Sequence, residues 1–172
     1  MILLIAGGTH TGKTALAQRL LEAYGYPYLS LDHLKMGLIR SGMTDLTPES
    51  SIASLTDYLW PITKEIVKTA IENGQNLIIE GCYIPPAYQE DFSAEYLQEI
   101  RYICLIMTPD YIKTHFADIL AHASDMETRP FYAKDALQKA MLQENERNFA
   151  LCKQYDLPYL LIEDGYEVAY KL

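Results

Sequence analysis

The sequence is short of positive charge. Fourteen lysines and arginines stand against 23 aspartates and glutamates, a formal net charge of −9 over 172 residues. Surfaces that bind nucleic acid are ordinarily basic, so this balance excludes a dedicated nucleic-acid interface. Small anions remain possible partners, because they need only a local cluster of positive charge. Cysteine is scarce too. Cys82, Cys104 and Cys152 form no C-x-x-C pair and no metal-ligand spacing, which excludes a zinc framework and suits free thiols in a reducing cytosol. Cys104 lies in an apolar stretch and reads as core. No apolar run approaches the ~20 residues a membrane helix needs. The N-terminal apolar run lacks a basic region before it and stops at Gly7, so it does not read as a signal peptide. Repeats, low-complexity tracts and linkers are missing as well. The expectation is one cytoplasmic domain, with no membrane segment.

What is present starts at the N-terminus. Gly7-Gly8-Thr9-His10-Thr11-Gly12-Lys13-Thr14 fits G-x-x-x-x-G-K-[ST], directly after the run Ile2-Leu3-Leu4-Ile5-Ala6. Glycines at these places let the backbone fold into a concavity whose N–H groups point at phosphate oxygens. The helix that follows adds its positive dipole end at the same point. Leu16, Ala17, Leu20, Leu21 and Tyr24 make a helical apolar stripe over residues 15–24, so strand, loop and helix occur in the required order. Lys13 is expected to bridge β- and γ-phosphates and the Thr14 hydroxyl to take one position on Mg²⁺. His10 occupies a free position of the loop and is read as contributing its backbone amide.

Periodicity organises the rest. Residues 28–31, 76–80, 101–107 and 157–162 read as further strands. Helices are expected over 33–41, over 52–73 with a kink or split at Pro61, from Pro85-Pro86 to about 98, over 109–122, and over 133–155, with a short helix closing the chain. Strands separated by helices predict an α/β fold, a five-stranded parallel sheet covered on both faces. Ligands of such sheets sit beyond the carboxyl ends of the strands.

That rule selects the candidate residues. Asp32, after the second strand, faces the phosphate loop, where it is placed to accept a proton from an acceptor hydroxyl or to hold Mg²⁺; a helix N-cap explains it otherwise. Glu80 ends the third strand and can orient Mg²⁺ or the acceptor, or simply meet solvent. Gly81 would admit an acceptor close to the backbone. Lys35 and Arg40 can bind an anionic acceptor or form a solvated helix face. Arg129, in a polar segment over 123–132, is placed to close over a triphosphate as a lid. Arg147 could do the same, or pair with Glu144 three residues back. Most of the 14 tyrosines are read as packing.

With these residues in view the chain resembles the small P-loop kinases of the adenylate-kinase-like group, which includes nucleoside monophosphate, shikimate, gluconate, 2-phosphoglycerate and zeta-toxin-like kinases. The segment from Leu77 to Pro85 resembles the 2-phosphoglycerate-kinase-like branch, and Arg129-Pro130 with Arg147 is similar to the lid arginines of shikimate kinases. The resemblance implies a P-loop NTPase fold, three-layered α/β/α with strand order 2-3-1-4-5, ATP and Mg²⁺, and Asp32 near the acceptor. Departures narrow it. Asp32-x-x-Lys35 replaces the Asp-x-x-Arg of nucleoside monophosphate kinases, and Glu80-Gly81-Cys82-Tyr83 lacks their arginine, which weighs against a nucleotide acceptor. A guanine-binding Asn-Lys-x-Asp and a transporter-type Leu-Ser-Gly-Gly-Gln are both missing. The function expected is ATP-dependent transfer to a small hydroxyl-bearing metabolite, with a nucleoside or nucleotide kinase, or a regulatory ATPase that binds a protein partner, as the alternatives.

Overall fold

A strand written Ile-Leu-Leu-Ile-Ala has no polar face, so it is stable only where both faces are covered. In the computed structural model, which describes residues 1–122, 134–165, 168 and 170–172, this run forms β1 (Ile2–Gly7), buried at every position. It lies at the centre of a sheet with β2 (Tyr28–Ser30), β3 (Leu77–Glu80), β4 (Ile100–Met107) and β5 (Tyr159–Ile162). Every pairing is parallel and the order is β2-β3-β1-β4-β5. The architecture is the α/β sheet the sequence leads one to expect.

Alternation along the strands divides the interior in two. Ile2, Leu4 and Ala6 of β1, with Ile79 of β3, pack against Leu55, Leu59 and Val67 of α3 (Ile52–Glu72). Leu3 and Ile5, with Ile78, face Leu16, Ala17 and Leu20 of α1 (Lys13–Tyr24) and Ile112 on the opposite side. The result is three layers, helix, sheet and helix. The remaining helices are α2 (Leu31–Arg40), α4 (Ala94–Leu97), α5 (Pro109–Thr114), α6 (Phe116–Ala121) and α7 (Lys134–Gln154). Among the described residues, no helix is long and apolar enough to cross a membrane.

Four local expectations are corrected. First, α2 begins at Leu31, with Ser30 as its N-cap residue, so Asp32 is not the cap but lies in the helix's first turn. Second, α3 runs through Pro61 without splitting. Pro61 and Asp57, the residue whose carbonyl loses its N–H partner, are both exposed, so water can satisfy that carbonyl. Third, the stretch after Pro85-Pro86 is not one helix. It makes a 3₁₀ turn over Tyr88–Asp91 and the short α4, interrupted where extended Phe92 turns edge-on to Trp60 at 6.1 Å. Asp91 fixes the break by accepting from Trp60 Nε1 at 2.7 Å and Lys64 Nζ at 2.8 Å. Fourth, the helix from Pro109 is broken at His115, which stacks on Tyr111 at 4.4 Å. The expected lid over 123–132 lies outside the described residues. The described residues of 163–172 form no helix.

Gly81 is where β3 meets α2. A Cβ there would lie 2.7 Å from Leu31 Cβ and 3.1 Å from its Cγ, and Leu31 is fully buried. The space that glycine leaves is filled by Leu31, not kept open for an acceptor. Gly81→Ala is therefore expected to push α2 off the strand ends and to cost about 1–3 kcal/mol of overpacking, read as a lower denaturation midpoint at unchanged slope.

Candidate active site

The loop between β1 and α1 is held by its own side chains. Gly7 has φ 148°, and a Cβ on it would come within 2.7 Å of both Leu105 O and Thr11 Oγ1. The Gly8 carbonyl accepts from Thr11 Oγ1 at 2.9 Å and from Lys13 Nζ at 2.7 Å. His10, buried and at φ 60°, and Gly12, at φ 83°, complete the turn into α1. Alternating left- and right-handed residues aim successive N–H groups inward, the geometry of an anion nest.

An anion is already there. The backbone N–H of Thr9 donates to Glu144 Oε2 at 2.8 Å, so the loop binds a carboxylate of its own chain. Among the ion pairs of the described residues, the Glu144–Arg147 pair that the spacing suggests does not occur. The donor set, the lysine inside the loop and this carboxylate together fit a bound polyphosphate.

At the base of the loop, Thr14 Oγ1 donates to Glu80 Oε1 at 3.2 Å. Glu80 is 1% exposed, fixed at the end of β3 by its register with Ile5 on one side and Ser30 on the other. One hydroxyl and one carboxylate are hard oxygen donors of the kind Mg²⁺ takes alongside substrate phosphates. No group of three or more His, Cys, Asp or Glu suited to a metal occurs among the described residues, so these two groups fit a phosphate-bound Mg²⁺ rather than an all-protein metal cage.

A second cluster stands beside it. Asp32 Oδ1 accepts from Lys35 Nζ at 2.5 Å, and Lys35 also donates to Tyr83 Oη at 2.9 Å. The Tyr83 hydroxyl lies 3.5 Å from the same carboxylate oxygen, and the ammonium sits 5.2 Å from the Tyr83 ring centre. Burial works against the Lys35 ammonium, but the bonds to Asp32 and Tyr83 outweigh it and raise its pKa. Burial and the Asp32 charge push the Tyr83 phenol up, so both groups keep their protons. Burial also raises the Cys82 thiol, against the pull of Lys13, which favours the protonated thiol.

Between α3 and α7 a cavity of ≈ 160 Å³ opens beside Gly7 and Gly8. Thr56 and Asp57 face it from α3, Glu144 and Arg147 from α7, and Cys82 with Ile84 from the loop after β3. Arg147 is thus a wall of this cavity. Arg40 is not brought in; it is exposed at the solvent end of α2, roughly 12 Å along the helix from Asp32. Arg129 lies outside the described residues.

Sequence reasoning missed Tyr83, Glu144 and Asn145. Asn145 is 2% exposed; its Oδ1 accepts from Met107 N and its Nδ2 donates to Met141 O, both at 2.8 Å. It pins α7 to the end of β4. A signal existed, since Met141, Asn145 and Cys152 share one buried face of α7, which makes a polar residue there conspicuous.

No family model matches the sequence, and no curated protein matches it. Solved structures do match in three dimensions. A shikimate kinase from Bacteroides thetaiotaomicron is 15% identical with a TM-score of 0.55, covering 95% of this chain and 86% of that one. For deoxyadenosine kinase from M. mycoides the figures are 12%, 0.53, 98% and 92%. For a gluconokinase from Sinorhizobium meliloti 1021 they are 15%, 0.51, 94% and 81%. The likeness runs over nearly the whole chain at low identity, and with the strand order and the loop after β1 it establishes that this chain has the fold of the small P-loop kinases.

Proposed function

We propose that the protein is an ATP- and Mg²⁺-dependent phosphotransferase acting on a small hydroxyl-bearing metabolite in the cytoplasm. The observation that carries this reading is the pairing of the phosphate loop with Glu80 through Thr14, at 3.2 Å, next to a cavity that Gly7 and Gly8 of the loop themselves line. Bound Mg-ATP would supply the transferable phosphoryl group and the metal charge that offsets it.

The chain's own residues divide the remaining work. Loop amides and Lys13 hold phosphate oxygens, while Thr14 and Glu80 offer the metal its protein oxygens. Asp32 is assigned to the acceptor rather than to the metal, because the Lys35 ammonium already occupies its Oδ1. It aligns the acceptor hydroxyl and receives its proton, with Lys35 and Tyr83 fixing the carboxylate. Arg147 and Arg129 would spread the charge of the transferring group. Positioning and electrostatics supply most of the rate in such reactions. Lys35 in place of an arginine after Asp32, and the missing arginine after Glu80-Gly81-Cys82-Tyr83, support a compact acceptor over a nucleotide.

The test is transfer of labelled γ-phosphate from Mg-ATP to a panel of hydroxy acids, sugars, amino alcohols, nucleosides and nucleotides. A labelled compact metabolite supports the proposal. Labelling of nucleosides or nucleotides alone would make the protein a nucleoside or nucleotide kinase. Free phosphate with no labelled acceptor would point to a regulatory ATPase that binds a protein partner.

A further inference from the structure

The contact between Glu144 and the loop has no part in the transfer just described. It is nevertheless built in with care. Glu144 Oε2 takes the Thr9 N–H at 2.8 Å, a charge-assisted bond to one of the amides a phosphate would use. A Cβ at Gly8 would lie 3.1 Å from Glu144 Oε2 and 3.3 Å from its Cβ, so the glycine lets α7 press directly on the loop. The neighbouring Asn145 ties the helix to β4 by accepting from Met107 N, while its Nδ2 donates within the helix to Met141 O. With α7 tied to β4 in this way, the smallest movement that clears Thr9 is a rotation of the Glu144 side chain.

A carboxylate and a polyphosphate cannot share this position, because like charges in contact cost several kcal/mol. We propose that Glu144 is an internal phosphate surrogate: it fills the loop before nucleotide arrives and must swing off Thr9 for the polyphosphate to seat. Its exit is the cavity it already lines together with Asp57 and Arg147. The loop thus stays ordered and neutralised in the free protein, and nucleotide affinity is set by competition with an anion of the same chain. This inference rests on the loop's being a phosphate site, and the experiment separates the two.

Inorganic tripolyphosphate, without metal, is titrated calorimetrically into the wild type, Glu144→Gln and Lys13→Ala. Glutamine keeps the shape and an acceptor oxygen for Thr9 but removes the charge. Glu144→Gln is expected to bind about tenfold more tightly than wild type, and Lys13→Ala far more weakly. In the free protein the Thr9 amide resonance should also shift on Glu144→Gln, which a role confined to helix packing would not produce. Binding by the wild type that is unchanged or weakened in Glu144→Gln, with melting temperature preserved, overturns the surrogate and leaves the phosphate site standing. Absence of binding in both wild type and Glu144→Gln overturns both. Binding that appears only in Glu144→Gln supports the surrogate in its strongest form. Should Glu144→Gln melt early, Glu144→Asp replaces it; its shorter side chain is expected to weaken the hold on Thr9 and tighten tripolyphosphate, and unchanged affinity would count against the surrogate.

Discussion

Lys13→Ala is expected to lower phosphoryl transfer by at least about 10²–10³-fold, the loss that follows removal of one preorganised charge-stabilising donor, and to leave the fold intact. Lys13 is buried, 6% exposed, and its ammonium donates to the Gly8 carbonyl at 2.7 Å. That carbonyl retains a second donor, Thr11 Oγ1, at 2.9 Å, so it stays paired in the variant. The sheet and both core layers do not depend on this side chain. Transfer measured beside far-UV circular dichroism and a melting curve checks the prediction. Full turnover in a folded Lys13→Ala protein would sink the kinase reading, and loss of both turnover and fold would remove this variant as support for it.

Asp32→Asn should give the second large effect, of a different kind. Asparagine keeps an oxygen for Lys35 and Tyr83 but cannot take a proton. Transfer is expected to fall by about 10²–10⁴-fold, the usual contribution of a positioned base, while ATP affinity stays within about twofold. The split is expected because Asp32 is held by Lys35 and Tyr83, whereas the loop amides and Lys13 are the donors assigned to the phosphates. Equal losses in transfer and in ATP affinity would instead assign Asp32 a structural role in the first turn of α2. The variant also weakens the partner of a largely buried ammonium; the Lys35 side chain is 11% exposed. A modest fall in stability therefore accompanies the kinetic effect, since a buried cation left poorly paired is destabilising. Comparing initial rates at saturating ATP with a direct binding titration separates the two contributions.

The two variants probe parts of the protein that were legible in the sequence to different degrees. The phosphate loop was fully legible. Its spacing is fixed by backbone requirements, Gly7 at φ 148° and Gly12 at φ 83°, and a lysine and a threonine at set offsets are the only side chains it needs. The sheet was legible for a similar reason. A strand buried on both faces is nearly all apolar, so β1 and β4 stand out, and strands alternating with helices favour parallel pairing. Asp32 and Glu80 stand out as candidates in the sequence because strand ends in such sheets converge on one crevice.

What failed was local geometry that depends on packing partners. The helix expected after Pro85-Pro86 is broken because Phe92 and Asp91 are drawn to Trp60 and Lys64 of α3, residues some 30 positions away that no local pattern reveals. Pro61 was over-read for the opposite reason; its face of α3 points to solvent, where water meets the lost hydrogen bond. Gly81 looked like room for a ligand, and its neighbour turned out to be Leu31.

The sequence by itself determined the loop chemistry and the layering, since both follow from residues adjacent in the chain or from the period of burial. Only the tertiary structure decided which side chains share a site. Tyr83 joins Asp32 across 51 residues, Thr14 meets Glu80 across 66, and Glu144 reaches Thr9 across 135. Each of these contacts is set by where the parallel sheet delivers its strand ends and by how closely α7 packs on β4, a distance fixed by Asn145 and by the absence of a side chain on Gly8. Such contacts leave no period and no spacing in the chain, because the residues that make them are held by different elements.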